Sequence, residues 1–327
     1  MAHWYAVAPV FPEAVAAATA SPVDLGGNVR LDRPPTVFRS SSVSIAEKVG
    51  SHYGCSSSNL ALVNEYEANH LNEMDPAPPR RPRRKRDAAR QAIQIANVAL
   101  WLARPSPLGF RLVVHLADGE ATPPSPNAFP DLCALPKYVT SRLSALDVAE
   151  AKRLNETLAP LSPRTTAFIA TRYLWLALHE DMLDVSFGIL SIAIEALLGP
   201  DDQPPPGTPP TKGPRNIGKR IRSRGAAFLG GSGPEQALNY CRLDHWWTAR
   251  NEVMHGDTLE ARSDAEKFRL LGEAQELVRA VLRTILLNAA VAVEFSTFTT
   301  REAYLEKLAW AFVEPTATEL AAAEAER

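Results

Sequence analysis

Beyond residue 141, apolar residues recur at intervals of three and four, the spacing of helices that bury one face. This pattern predicts five long helices, over residues 141–158, 166–180, 183–198, 234–255 and 263–288. Ser263 and Glu266 form a capping box for the fifth helix, and Thr299 and Glu302 form one for a shorter helix that ends at residue 313. We therefore predict an antiparallel helical bundle over residues 141–313.

The first 140 residues carry a mixed pattern. Asp87 is the predicted N-cap of a helix over residues 88–103, and residues 108–116 alternate between apolar and polar side chains, as a half-buried strand does. Residues 1–75 mix short apolar runs with Pro and Ser clusters, and we assign no fold to them. The predicted fold class is mainly α, with a mixed α/β N-terminal region before the bundle.

Proline runs divide the chain into segments, since 27 of its 327 residues are proline. We predict an N-terminal region of unknown fold over residues 1–75, a Pro/Arg-rich linker over 76–86, a helix-plus-strand region over 87–140 and, after the bundle, a C-terminal tail over 314–327. The linker ends in a run of arginines and one lysine. That run has two interpretations, a solvated surface or a contact for phosphate.

Charge and cysteine content narrow the function classes. The 35 basic and 37 acidic residues give a net charge of −2, so nucleic-acid binding would depend on local patches. Three widely spaced cysteines (Cys55, Cys133, Cys241) exclude a disulfide framework and a cysteine-based zinc cluster. We expect a cytoplasmic protein with no secretion signal, no membrane span, no cofactor and no metal site, because no fingerprint for any of these occurs.

A second cationic segment lies inside the predicted bundle. Residues 212–224 carry six cations and no acid. Arg215, Lys219 and Arg222 are spaced by four and three and share one helical face, and Arg220 lies beside them. This stripe is either a solvated surface or a track for an RNA backbone.

Arg250, Asn251 and His255 are the candidate catalytic residues, near the end of the helix over 234–255. Arginine stabilises phosphate charge and histidine exchanges a proton near neutral pH, a combination suited to phosphodiester cleavage without a metal. Helical positions five apart differ by about 140° and by about 7.5 Å along the axis. One copy of the motif therefore forms an incomplete site.

Glu195 is the only charge in the apolar run over residues 185–198, so it needs a cationic or donor partner. Arg250 is a candidate for that role. The pair would be a structural ion pair, with His255 favouring the helix dipole, or it would aim the guanidinium. Trp246 and Trp247 point about 100° apart on a helix, so at most one faces the site, and we expect core packing.

Three blocks in order resemble the HEPN superfamily, closest to its ApeA-like branch. They are the sequence from Ile192 to Leu198, the sequence from Ile217 to Leu229 with its Gly218-Lys219-Arg220 step, and the R-x-x-x-x-H element from Arg250 to His255. The resemblance covers roughly residues 141–295.

The resemblance implies a helical bundle that forms a homodimer and joins two R-x-x-x-x-H motifs into one metal-independent endoribonuclease site. His255 would be the general acid or base, Arg250 would stabilise phosphate charge, and Asn251 would orient the substrate or the histidine. The resemblance also implies toxin or anti-phage defence roles. The alternative is a non-catalytic module that binds RNA or a protein, with the N-terminal region contacting a regulatory partner.

Overall fold

The computed structural model describes residues 2–10, 22–33, 60–68, 81–105, 114–117, 142–180, 182–200, 217–231, 233–255 and 262–326. The chain divides into two compact units, Met1–Pro160 and Leu161–Arg327. The C-terminal unit carries every candidate site residue of the sequence analysis that the structure describes.

The N-terminal unit contains a five-stranded antiparallel sheet in the order β2-β3-β4-β1-β5. Its strands are β1 (Ala2–Val10), β2 (Val23–Asp24), β3 (Val29–Asp32), β4 (Leu60–Ala68) and β5 (Val114–Ala117). β1 pairs with β4 along its whole length, from Ala2 opposite Ala68 to Val10 opposite Leu60. The sheet therefore joins strands that lie far apart in the sequence.

Within the described residues of the N-terminal unit, two helices accompany the sheet, α1 (Arg81–Ala103) and α2 (Ala145–Leu158). α1 packs against β4 and against α2 through a buried apolar stripe that includes Ile93 and Leu100. Asn155 of α2 is buried and donates hydrogen bonds from Nδ2 to the carbonyl oxygens of Leu25 and Gly26, at 2.9 and 3.0 Å. These bonds tie α2 to the turn that joins β2 and β3.

Several boundaries in the N-terminal unit differ from the sequence predictions. α1 begins at Arg81, so the basic run assigned to the linker over 76–86 lies in the first turns of a helix. Asp87 lies inside α1, and the prediction that it is an N-cap was wrong. Of the strand predicted over 108–116, residues 114–116 belong to β5, and the remainder lies outside the described residues.

The C-terminal unit is a helical bundle, which confirms the mainly α fold class. Its helices are α3 (Thr166–Ala177), α4 (Leu183–Leu198), α5 (Ile217–Leu229), α6 (Gly233–Met254), α7 (Asp264–Leu287), α8 (Ala289–Glu294), α9 (Phe298–Ala311) and α10 (Ala317–Glu326). α4 lies at the centre and packs against α3, α5, α6 and α7. Trp246 of α6 is buried against it and donates a hydrogen bond from Nε1 to Ser191 Oγ at 3.1 Å.

The compact division falls at Pro160, whereas the sequence placed the start of the bundle at 141. The reason is that α2 packs with α1 in the N-terminal unit. Residues 314–327, predicted to be a tail, contain α10, which packs on α6 through Ala323 against Ala237 and Cys241. The predicted tail is therefore part of the folded bundle.

Two predicted caps have different outcomes. Ser263 caps α7, where its Oγ accepts a hydrogen bond from the backbone N–H of Glu266 at 3.3 Å. The Thr299/Glu302 box was wrong, because α9 begins at Phe298 and Thr297 is its N-cap. Glu302 instead binds arginines, as described below.

Candidate functional site

Arg250 and Glu195 form the centre of the candidate site. Arg250 lies on the last turns of α6, and its Nε donates a hydrogen bond to Glu195 Oε1 of α4 at 2.6 Å. The Arg250 side chain is 20% exposed and that of Glu195 is 34% exposed. The predicted partner of Glu195 is thus confirmed, and the pair joins the two helices at the edge of the solvent.

Asn251 makes the second in-plane contact of the guanidinium. Arg250 Nη1 donates to Asn251 Oδ1 at 3.2 Å. Within the part of the chain that the structure describes, neither Arg250 Nη2 nor Asn251 Nδ2 has a hydrogen-bond partner. The cluster therefore offers two kinds of polar donor to a ligand, one charged and one neutral.

The ring of Trp247 lies beside the guanidinium of Arg250. The Arg250 Cζ atom lies over the Trp247 ring, 5.1 Å from its centroid, and the two residues are three positions apart on α6. The expected core role is confirmed for Trp246, but Trp247 is only half-buried and contacts Arg250. The difference of about 100° between adjacent helical positions accounts for the two roles.

His255 lies one residue beyond the end of α6. Its backbone N–H donates to the carbonyl oxygens of Asn251 and Glu252, at 3.0 and 3.2 Å, while its side chain is exposed. Among the described residues its ring makes no hydrogen bond. The structure therefore brings Glu195, Arg250 and Asn251 together and leaves the histidine accessible at the helix end.

Arg262 was not predicted from sequence, yet it braces this end of α6. Its Nη2 donates to Oε1 and Oε2 of Glu252, at 2.9 and 2.7 Å, and its Nη1 donates to Glu266 at 2.5 Å. The hydrogen bonds from Arg262 to Glu252 are the largest of the influences that raise the pKa of this guanidinium. The arginine links the last turn of α6 to the first turn of α7.

The predicted RNA-binding cations of α5 are paired with carboxylates. Lys219 contacts Glu314 at 3.0 Å, and Arg222 contacts Asp244 at 2.6 Å. Arg220 contacts Glu306 at 2.6 Å. Arg215 lies outside the described residues. The three described cations therefore fasten α5 to neighbouring elements.

A buried ion network caps the C-terminus of α4. Arg224 donates to the Leu198 carbonyl at 3.4 Å and to Glu302 at 3.1 Å, and Arg301 donates to the Gly199 carbonyl at 3.0 Å. Both arginine side chains are fully buried. Cations at a helix C-terminus complement its dipole, so the network fixes the turn of α4 that carries Glu195.

Glu306 belongs to the same network. Burial alone would raise its pKa, but hydrogen bonds from Arg220 and Arg224 lower it below the usual value. Glu306 is therefore a stable carboxylate at neutral pH.

Comparison with protein families, with curated proteins and with solved structures finds no match to this chain.

The described residues contain no group of three or more His, Cys, Asp or Glu side chains placed to hold a metal ion. Across the same ranges no helix has the length and apolar character needed to cross a bilayer. The candidate site itself consists of Glu195, Trp247, Arg250 and Asn251, which the contacts given above bring together.

Proposed function

We propose that this protein is a HEPN-type endoribonuclease that works as a homodimer without a metal. The observation that carries the proposal is the Arg250 guanidinium, which is held by Glu195 and Asn251 and keeps Nη2 for a ligand. An oriented guanidinium at a partly exposed site suits the charge that develops on a phosphate during cleavage. The resemblance of the three sequence blocks supplies the substrate class.

In the proposed reaction the 2′-hydroxyl of RNA attacks the adjacent phosphorus. The O2′–P bond forms, the P–O5′ bond breaks, and the products are a 2′,3′-cyclic phosphate and a 5′-hydroxyl. One group takes the proton of the 2′-hydroxyl and another gives a proton to the leaving oxygen. His255 fits these roles because its ring is exposed at the helix end. Arg250 stabilises the phosphate charge, and Asn251 orients the substrate.

A homodimer supplies the two proton-transferring groups, since each copy contributes one His255. Val185 and Ile192 of α4 support an assembly of this kind. They lie seven residues apart on one helical face and are 41% and 40% exposed, on the helix that also carries Glu195. Cysteine usage is consistent with activity in a reducing cytoplasm, where a toxin or defence role would act.

RNA cleavage in excess EDTA tests this proposal. We expect the wild-type protein to produce fragments with 2′,3′-cyclic phosphate ends, and we expect His255→Ala to abolish them. Met254→Ala is the matched control, because Met254 is the exposed neighbour, at 52%, and has no titratable group. Equal fragment yields from wild type and His255→Ala would contradict the proposal.

The second candidate function is a non-catalytic module that binds RNA or a protein. The ion pairs of Lys219, Arg220 and Arg222 favour the protein-binding form of this module, because they reduce the positive charge that α5 offers to an RNA backbone. Under this alternative the N-terminal unit contacts a regulatory partner. RNA binding by the wild type without any cyclic-phosphate product would favour this alternative over the enzyme.

A further inference from the structure

Gly218 of α5 lies directly against the ring of Trp247. A Cβ atom placed on Gly218 would come within 2.5 Å of Trp247 Cε2 and 2.9 Å of Trp247 Cδ1. Both distances are too short for real carbon atoms, and the ring is rigid. Only glycine at position 218 therefore allows α5 and the Trp247 ring to approach as closely as they do.

The Trp247 ring in turn limits where the Arg250 guanidinium lies. Arg250 Cζ lies over the ring at 5.1 Å from its centroid, while Nε bonds to Glu195 and Nη1 bonds to Asn251. Two hydrogen bonds in the guanidinium plane and one ring beside it leave little freedom to rotate. Gly218 contacts the same ring at its Nε1, Cε2 and Cδ1 atoms, so the close approach of α5 helps to fix where the ring lies.

We propose that Gly218 and Trp247 are positioning residues that fix the orientation of the Arg250 guanidinium, and with it the direction of the Nη2 donor. This inference rests on the proposed role of Arg250 in stabilising phosphate. A positioned donor acts on the transition state without needing to reorganise. Loss of the Trp247 ring beside the guanidinium therefore lowers kcat more than it raises KM.

Two other glycines provide matched controls. Gly225, also on α5, would place a Cβ 2.5 Å from Leu243 Cδ1 of α6 and 3.0 Å from Leu198 Cδ1 of α4, so its substitution disturbs the packing of α5 without meeting the Trp247 ring. A Cβ atom placed on Gly188 of α4 would meet no heavy atom within 4 Å, so Ala fits there without a clash. Gly225→Ala thus reports a packing defect alone, and Gly188→Ala reports a neutral substitution.

The first measurement is the Arg250 Nε–H resonance in NMR spectra of the full chain, which reports guanidinium order without any activity. Gly218→Ala and Trp247→Leu are expected to shift this resonance and to speed its exchange with water at least fivefold. Trp247→Phe is expected to retain most of the wild-type exchange rate, because a ring still lies beside the guanidinium. Gly225→Ala and Gly188→Ala are expected to leave the resonance in place.

The second measurement is RNA cleavage with kcat and KM separated. We expect kcat to fall about tenfold to a hundredfold in Gly218→Ala and in Trp247→Leu, with KM changed less than threefold. The double variant Gly218→Ala/Trp247→Leu removes the clash. It should regain the melting temperature that Gly218→Ala loses, but not the lost kcat. A purely structural role predicts that stability and kcat recover together, and that result would overturn the inference.

The two measurements separate failure of the inference from failure of the proposed function. If the wild type does not cleave RNA, the proposed function fails, and the Nε–H exchange rates still decide whether Gly218 and Trp247 order Arg250. An unchanged Arg250 resonance in both Gly218→Ala and Trp247→Leu would refute the positioning role, whatever the cleavage rates are. If Gly218→Ala does not fold, the Nε–H exchange rates of Trp247→Leu and Trp247→Phe still decide whether the ring orders the Arg250 guanidinium.

Discussion

Arg250 gains its orientation from residues on two helices. The carboxylate of Glu195 lies at the solvent edge of α4, where its Oε1 accepts from Arg250 Nε at 2.6 Å. Partly exposed pairs of this kind contribute modestly to stability, typically below about 1 kcal/mol. The specific effect of this pair is therefore geometric, since it sets which guanidinium nitrogen remains for a ligand.

His179, two residues beyond the end of α3, is a buried histidine with a lowered pKa. Its Nδ1–H donates to the Trp175 carbonyl at 2.7 Å, and its ring centroid lies 3.6 Å from that of Trp175. Burial lowers its pKa to about 4, against a hydrogen bond that works in the opposite direction. The folded bundle thus holds this histidine neutral at pH values where the unfolded chain would protonate it.

This pKa predicts a loss of stability in mild acid. A histidine whose folded pKa is lowered binds its proton more readily in the unfolded chain, so unfolding becomes easier as the pH falls from about 6.5 to about 4. The full effect is about 3 kcal/mol. Urea unfolding at a series of pH values measures it, and His179→Phe should flatten the pH dependence in this window. His255→Ala, at an exposed position, is the control; a slope unchanged by His179→Phe would contradict the assignment.

At the scale of elements, α10 is a packed helix that the sequence pattern did not predict. Its apolar residues are nearly all alanines, and Ala323 is its only buried residue. That pattern gives no amphipathic signal, so the sequence predicts a tail over residues 314–327. The contacts that hold the helix come from α6, through Ala237, Cys241 and the His245–Glu324 pair at 3.0 Å, and these partners are distant in sequence.

The docking of α10 predicts the reactivity of Cys241. The thiol is buried beneath α10, with Sγ 3.8 Å from the Leu320 carbonyl. Ala323→Glu places a charge in this contact and should raise the rate of Cys241 labelling by a thiol reagent at least tenfold, as read by peptide mass spectrometry. Ala322→Glu is the control because Ala322 is exposed. Equal labelling in the two variants would mean that α10 does not cover Cys241.

The long helices α3, α4, α6 and α7 were predictable from local sequence, because apolar residues recur along stretches too long for a strand and an N-cap or a glycine marks an end of several of them. The helix caps and ion pairs that depend on residues distant in the sequence were not predictable. Thr297, rather than Thr299, caps α9, and threonine suits an N-cap at either position. Likewise the sequence shows the stripe of Arg215, Lys219 and Arg222 but not the ion pairs on this helix, because the carboxylates that bind Lys219 and Arg220, Glu314 and Glu306, lie far along the chain.

At the scale of the whole molecule, the sheet was the largest feature that the sequence left unassigned. Paired residues of β1 and β4 lie 50 to 66 positions apart in the sequence, and β2 has two residues. Short strands joined over long separations carry little local signal. For the same reason the boundary between the units was drawn at 141, because the α2 pattern is helical whichever unit it packs in.

The division at Pro160 predicts an independently folding fragment. Residues 161–327 contain α3 to α10 with their own buried core, so this fragment should unfold cooperatively with helical circular dichroism. A fragment of residues 141–327 adds α2 without α1, and should gain little melting temperature over 161–327. A fragment 161–327 that lacks a cooperative transition would contradict the division.

The most direct test of the composite ribonuclease site mixes wild-type and His255→Ala subunits in increasing ratio, after allowing subunit exchange, and measures RNA cleavage in EDTA. A composite site that needs His255 from both copies predicts that activity falls as the square of the wild-type fraction, to about one quarter in an equal mixture. Mixing with Met254→Ala should leave the rate unchanged. A linear fall to about one half would show that each motif works alone, and an absence of cleavage at every ratio would contradict the ribonuclease itself.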